Sequence, residues 1–468
     1  LKLASLFFSE NTDNIYPIFF AGKGLEVSLA KDFLVDCEIV HKHAPWSRQL
    51  DMSIIRPFCG LRVKPDLAAQ VTSPPYDTMS TPEARIMAGD NPNSFLRIDK
   101  PEIEFPDLFN PYDPQVYARG RQNLDAFQSR GVLLRDPNPC FYMYRQTMDG
   151  RRQTGLLALT SVAEYNAGKI KKHEHTRPEK VNDRANHIIA SNAQASPVLS
   201  TFKWNADLAR IFDVVQSKSP LLDFVSSDQV RHEFWVIADS ATVDQLVKVF
   251  DTQIEALYIA DGHHRSEAAS EVCRRLRENN PDHTGNEPYN FFLNGLFADR
   301  ELYIMPYNRV VRDLNNHTLG QLLTEAEKHF EVDKTPSAAA STPISQHQFG
   351  LYAEGNWYRL KARAGSFDPT HPVNSIDAAI LAENLISPLL GVHNPRTDKR
   401  IDFVGGIRGV KELERLVDSG QFKIAFSLYS TSISQLLTVA DAGEVMPPKS
   451  TWFEPKLRSG LVVNLLSD

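Results

Sequence analysis

The sequence predicts an α/β protein in mixed α+β order, and three observations point there. An apolar strand, Leu257-Tyr258-Ile259-Ala260, runs into a short turn and then an amphipathic helix. A second strand–helix pair precedes it, His232 to Ala238 followed by Ala241 to Phe250. An aromatic run, Cys140 to Thr147, is joined to a partner strand, Arg152 to Leu159, by Asp149-Gly150, a dipeptide suited to a tight hairpin turn.

The other elements follow in chain order. Cys59 to Val63 reads as a short strand. Ser73-Pro74-Pro75-Tyr76-Asp77 reads as a rigid loop, because two prolines fix φ and oppose helix. Ser80-Thr81-Pro82-Glu83 is a helix start with the pattern of a capping box. Residues 114–131 place Val116, Tyr117, Leu124 and Phe127 on one helical face and stop at Gly131. Val181 to Pro197 carries Asp183, Arg184, Asn186, His187, Asn192 and Ser196, and reads as a helix leading a polar face into a cleft. A helix from Ser266 to about Asn279 buries Ala268, Ala269, Val272, Cys273 and Leu276. Asn290 to Ala298 is apolar throughout, the mark of a strand covered on both faces. Thr335 to Gln348, rich in Ser, Ala, Thr and Pro, reads as an exposed connection. Beyond it come a strand at Trp357 to Leu360, helices at Ser375 to Ile386 and Val410 to Ser419, a strand at Phe422 to Tyr429, and a proline-stiffened loop from Met446 to Phe453.

Composition narrows the function classes. The 468 residues are 42% hydrophobic and 23% charged, ample for a buried core. Lys and Arg number 51 against 58 Asp and Glu, so the basic excess of a general nucleic-acid binder is missing. No apolar run reaches the ~18–20 residues that span a bilayer. Cys37, Cys59, Cys140 and Cys273 stand far apart without a CxxC pair, which argues against a disulfide framework or zinc ribbon and fits a cytoplasmic protein. Residues 1–51 read either as a genuine N-terminal extension, such as a targeting segment, or, the favoured reading, as sequence outside the functional protein: the chain opens on Leu1, and its first methionine is Met52. The apolar segment Tyr16 to Ala21 is too short for a secretory signal, and the acidic residues around it speak against a transit peptide. There is no GxxxxGK[ST] loop, no GxGxxG after a strand and no GxSxG elbow.

Four segments carry candidate chemistry. In Asp261-Gly262-His263-His264-Arg265 a buried strand ends at an acid, a glycine permits a tight turn, and a helix begins. Helix starts present free N–H groups and a partial positive charge, and adding His and Arg there makes an anion site. The bland alternative is that Asp261 is an N-cap and the histidines are structural. In Lys169 to Lys180, His173-Glu174-His175 sits among basic residues; alternation in an extended segment would put both histidines on one side and Glu174 on the other. That is a possible metal pair, a phosphate site, or a solvated basic loop. Asp77 is a carboxylate held by the Pro74-Pro75 loop, and Lys449-Ser450-Thr451 sets a lysine beside two hydroxyls that can contact phosphate oxygens. Each of these two segments reads equally well as plain surface.

Taken together, Pro74-Pro75-Tyr76-Asp77, His173-Glu174-His175-Thr176, Ala260-Asp261-Gly262-His263-His264-Arg265 and Met446-Pro447-Pro448-Lys449-Ser450-Thr451 resemble, in order and spacing, a widespread family long filed as a domain of unknown function. The resemblance runs from about Ile55 to Leu465. The Gly-x-His-Arg core is similar to the phosphate box of the ParB/sulfiredoxin-like superfamily, which includes ADP-dependent free-serine kinases. The resemblance implies a ParB/sulfiredoxin-like core and a serine kinase that takes its phosphoryl group from inorganic pyrophosphate. The product would be O-phospho-L-serine for serine and cysteine metabolism. Carried over by motif position, His263, His264, Arg265 and Gly262 would hold donor phosphate, with His173, Thr176, Lys449, Ser450 and Thr451 closing over it. Glu174, Asp261 or Asp77 would be the base, Glu174 first, and Mg²⁺ would bridge the donor oxygens to Asp261 and Glu174. Arg184, Asn192 and Ser196 would read the amino acid. His175 departs from the lysine or arginine expected in relatives, which weakens a metal role for the His-x-His pair.

Because the motifs span the chain, the expected body is two-lobed with a shared central cleft. Its parts would be an N-terminal lobe over 52–200, a central α/β region over 201–334 and a C-terminal region over 335–468. Expected partners are L-serine and pyrophosphate, with neither nucleic acid nor membrane. The alternatives are a metal-dependent phosphohydrolase using His173, His175, His263 and Asp261, an ATP- or ADP-dependent serine kinase, and a ParB-like nucleotide-binding regulator.

Overall fold

The computed structural model describes residues 54–467, so the reading of residues 1–51 lies outside the described residues. The fold is mixed α/β. A nine-stranded sheet runs in the order Ile170–Lys171, Leu257–Asp261, Val198–Phe202, Phe291–Ala298, Arg151–Ser161, Phe141–Met148, Arg231–Ile237, Leu222–Val225, with Ile55–Arg56 paired onto Arg151–Ser161. Two of its pairings are parallel, Phe291–Ala298 with Val198–Phe202 and Leu257–Asp261 with Ile170–Lys171. The Asp149-Gly150 hairpin forms as its sequence predicts, with both residues at positive φ.

Both faces of this sheet are buried, and the pleat explains the aromatic run. Phe141 and Met143 point to one side, joining Trp235, Leu246 and Phe250 beneath the helices Ala206–Gln216 and Ser240–Gln253. Tyr142 and Tyr144 point to the other, joining Phe234, Leu293 and Phe297. That second cluster continues into Phe349, Leu351 and Phe426 of an antiparallel six-stranded sheet formed by Phe330–Thr335, Asn356–Ala362, Gln348–Ala353, Ile424–Leu428, Tyr307–Val311 and Ile401–Gly405. The nine-stranded sheet draws strands from both sides of residue 200, and the six-stranded sheet from both sides of residue 334. A four-stranded sheet sets the strand Val462–Leu465 between Leu61–Val63 and Ala193–Gln194, so the last strand of the described residues pairs with one of the first.

The local expectations need five corrections. The helix read over Val181 to Pro197 runs Pro178–Ser191 and stops where Asn192 turns left-handed into the strand Ala193–Gln194. The helix placed at Ser266 begins at His263, because Gly262 takes the left-handed turn by itself. Tyr76–Thr78 forms a short 3₁₀ turn; Pro74 and Pro75 restrain only themselves and the residues before them, leaving Tyr76 free to turn. Within the presumed connection at Thr335 to Gln348, Ser337 caps a helical turn, Ala338–Ser341, and strands take up both ends. The segment around His173 is irregular, with His173 buried and His175 exposed, so the two histidines do not share a side.

Asp377 is one of several buried acids off the cleft lining. Asp377 opens the helix Asp377–Leu381 with Oδ1 accepting from the His347 N–H at 2.8 Å and Oδ2 unpartnered. Burial pushes its carboxyl up to about 7. The folded state therefore binds a proton that the unfolded state releases near pH 4. The stabilising contribution is complete below that value and is lost as pH rises toward 7, a span on the order of 4 kcal/mol. Asp377→Asn is expected to flatten the dependence of urea-unfolding stability on pH between 4 and 7. An unchanged slope would contradict this.

Candidate active site

One cleft of about 680 Å³ gathers residues from the whole chain, including Tyr76, Asp77, Glu174, Arg184, Asp261, His263, His264, Tyr307, Lys449 and Lys456. Its centre is the end of the strand Leu257–Asp261. Gly262 adopts φ +93°, a left-handed conformation that L side chains rarely take, and a Cβ there would press to 3.0 Å from the Arg265 guanidinium. The turn opens directly into the helix His263–Glu278, whose N-terminus no side chain caps. The N–H groups of His263 and His264 in its first turn are therefore left without a capping side chain, on residues that line the cleft. Asp261 accepts from the Gly262 N–H at 2.9 Å and from Lys456 Nζ at 2.9 Å. Although burial alone would raise it, Lys456 and Arg265 hold its carboxyl well below the usual carboxylate range.

Burial disfavours the charged form of His173, His263 and His264. Burial drives His173 and His263 down to about 3. Their rings meet edge to face at 4.5 Å, and both nitrogens of His173 and Nε2 of His263 lack hydrogen-bond partners. Burial also lowers His264, with Glu174 pulling the other way. His264 Nε2 accepts from the Arg177 N–H at 3.1 Å, so the neutral ring carries its proton on Nδ1. Arg265 lies behind the turn and does not line the cleft: it donates to the Pro197 carbonyl and stands 3.6 Å from Asp77 Oδ2. Burial disfavours its charge, but Asp77 and Asp261 outweigh that and raise its pKa.

Positive charge reaches the cleft from Lys449 and Lys456 of the C-terminal loop and from Lys100, Arg177, Lys180, Arg184 and Arg408 on its other walls. Lys449 sits at φ +58° with its ammonium 5.9 Å from the Tyr307 ring. Burial opposes its charge, while Tyr307, Glu174, Asp261 and Asp77 together raise its pKa. Thr451 lines the cleft. Ser450 does not; its hydroxyl is spent on the Pro447 carbonyl at 2.7 Å. Thr176 is also off the cleft lining, whereas Glu174 is on it. The Glu174 carboxylate makes no hydrogen bond or ion pair with any described residue. The His173 carbonyl accepts from the Met446 N–H at 2.9 Å, tying the loop of Glu174 to the loop of Lys449.

Of the residues expected to read an amino acid, only Arg184 lines this cleft. It projects from the helix Pro178–Ser191, stacks 3.8 Å from the Tyr76 ring centroid, and donates to Asp99 Oδ1 at 3.0 Å. Asn192 is the left-handed C-terminal cap of that helix and bonds to Ser467. Ser196 is taken up beneath the floor by Asp99 and Ser459. Sequence reasoning missed Asp99 and Lys456. Arg97-Ile98-Asp99-Lys100 looks like surface, and Lys456 lies seven residues past Lys449 in no recognisable pattern.

Among the described residues, no group of three or more His, Cys, Asp or Glu is placed to hold a metal ion, so the histidine-rich hydrolase set is not assembled. None of their helices is long and apolar enough to cross a membrane.

The family described as "Protein of unknown function (DUF1015)" matches residues 55–379, which include the first three motifs and stop before Met446 to Thr451. The chain belongs to this family. No curated protein matches the sequence. Similar solved structures include a free serine kinase in complex with AMP, 12% identical, covering 65% of this chain and 92% of that chain with a TM-score of 0.32. A conserved hypothetical protein from Pyrococcus furiosus is 12% identical, covering 65% of this chain and 95% of that one with a TM-score of 0.32. SbnI from Staphylococcus aureus with a C-terminal truncation is 13% identical, covering 66% and 87% with a TM-score of 0.28.

Proposed function

We propose that this DUF1015 protein is a small-molecule kinase that moves a phosphoryl group from inorganic pyrophosphate to the hydroxyl of free L-serine, giving O-phospho-L-serine. The observation that carries the proposal is that one cleft holds an uncapped helix start beside a lysine and an unengaged carboxylate, Glu174. Phosphoryl transfer asks for positioning and charge neutralisation more than covalent work by the protein. The first-turn N–H groups of His263 and His264, the Nδ1–H of His264, Thr451 and Lys449 would cradle the donor. Glu174 would take the proton from the attacking hydroxyl, with Asp77 and Asp261 as the other carboxylates near the helix start. Arg184, held by Asp99 and stacked on Tyr76, would meet the amino-acid carboxylate. The choice of serine and pyrophosphate rests on the motif resemblance.

Mg²⁺ is expected with the donor. Such an ion keeps several waters and needs only one or two protein carboxylates plus substrate phosphates. Asp261, held anionic, and Glu174 fit that donor set, with Asp261 as the ligand when Glu174 serves as the base. The ion would neutralise charge on the donor oxygens.

The test is to incubate the full chain with L-serine, Mg²⁺ and either pyrophosphate, ADP or ATP, and to read phosphoserine by mass spectrometry. Phosphoserine with pyrophosphate is expected. Its appearance only with ADP or ATP would replace the donor, and phosphate release independent of serine would replace the kinase by a hydrolase.

A further inference from the structure

The segment Pro455 to Ser459 is held against the nine-stranded sheet by two buried glutamines and pinned on either side by Asp228 and Asp99. Gln146, fully buried, donates to the Lys456 carbonyl at 2.8 Å, and Gln153 donates to the Pro455 carbonyl at 3.1 Å. Arg458 pairs with Asp228 at 2.5 Å, and Ser459 Oγ donates to Asp99 Oδ2 at 3.1 Å. Buried amides and charges are costly unless satisfied, and here they are satisfied by fixing one stretch of chain. Of that stretch, only Lys456 lines the cleft. Its ammonium reaches Asp261 Oδ2 at 2.9 Å, at the mouth of the helix His263–Glu278, and lies 4.8 Å from the Trp452 ring centroid.

We propose that Lys456 is a phosphate-binding residue of this site and that Asp261 is its holder, not the general base. Resting on the kinase proposal, this extends the donor site to a cation outside the four motifs. An ammonium has three N–H donors, and one goes to Asp261. A donor phosphate seated on the first-turn N–H groups lies beside the remaining two. Asp261 already takes an N–H on one oxygen and an ammonium on the other, which makes it a poor acceptor for a serine proton and leaves Glu174 for that work.

The test compares Asp261→Asn with the double variant Asp261→Asn/Lys456→Met, a pair that differs only in the Lys456 ammonium. Binding of pyrophosphate with Mg²⁺ is measured by calorimetry without serine, beside kcat and KM for pyrophosphate. At least tenfold weaker binding in the double variant is expected. In the otherwise native chain, Lys456→Met should raise KM for pyrophosphate at least tenfold, and Lys456→Arg should restore most of it. Equal pyrophosphate affinity in Asp261→Asn and the double variant would reduce Lys456 to a tether for Asp261 and overturn the proposal. If the native chain makes no phosphoserine yet binds pyrophosphate through Lys456, this assignment stands and the kinase falls. If it makes phosphoserine and binding ignores Lys456, the kinase stands and this assignment falls. If it binds no pyrophosphate, both fall.

Discussion

Glu174→Gln is expected to lower kcat by roughly 10²–10⁴-fold, the usual worth of a positioned general base, while thermal unfolding stays within a degree or two of the native chain. The substitution keeps shape and volume and removes only the capacity to accept a proton. Three carboxylates lie within the cleft near the helix start, and their surroundings separate them. Asp261 is bound by Lys456 and by the Gly262 N–H. Asp77 stands 3.6 Å from the buried Arg265 guanidinium. Glu174 alone is unengaged, between the neutral His173 and the loop that carries Lys449. Because the group acts in the chemical step, KM for pyrophosphate should change little. A loss under tenfold in single-turnover kinetics would move the base to Asp77.

Asp99→Ala is expected to cost about 3–5 kcal/mol of folding stability, the range for breaking a buried ion pair by removing one partner. Asp99 is 1% exposed and accepts from Arg184, Ser196 and Ser459, so three segments distant in sequence meet on one carboxylate. Its removal leaves the Arg184 guanidinium buried, with Nε already unpartnered. Urea unfolding checks the size of the loss, and Asp99→Leu combined with Arg184→Met should recover much of it. A loss below about 1 kcal/mol would show that the network is weakly coupled to the fold. Since Asp99 also holds Arg184 over Tyr76, milder variants such as Asp99→Asn should raise KM for serine more than they change kcat.

Much of the fold was legible because local chemistry and tertiary structure agree. The Asp149-Gly150 hairpin, the Ser80–Glu83 capping box and the amphipathic helix Pro114–Ser129 are each fixed by short-range patterns, and all three form. Gly262 marked the turn at which the site is centred. The site was legible as a set of segments: Asp77, Glu174, Asp261, His264 and Lys449 do share one cleft.

What the sequence determined by itself is the identity of the elements and the motif residues, since hydrophobic period, glycine at a left-handed turn and proline stiffness act over a few residues. Only the tertiary structure decided the charge of those residues and which of them face the cleft. Folding disfavours the charged form of His173, His263 and His264 by burial, spends Ser450 and Asn192 on their own neighbourhoods, and turns Arg265 behind the floor. It also brings in Lys456 and Asp99, which no pattern announces. The physical reason is that desolvation and ion pairing depend on the surroundings assembled from distant segments, and those surroundings exist only once the chain has folded.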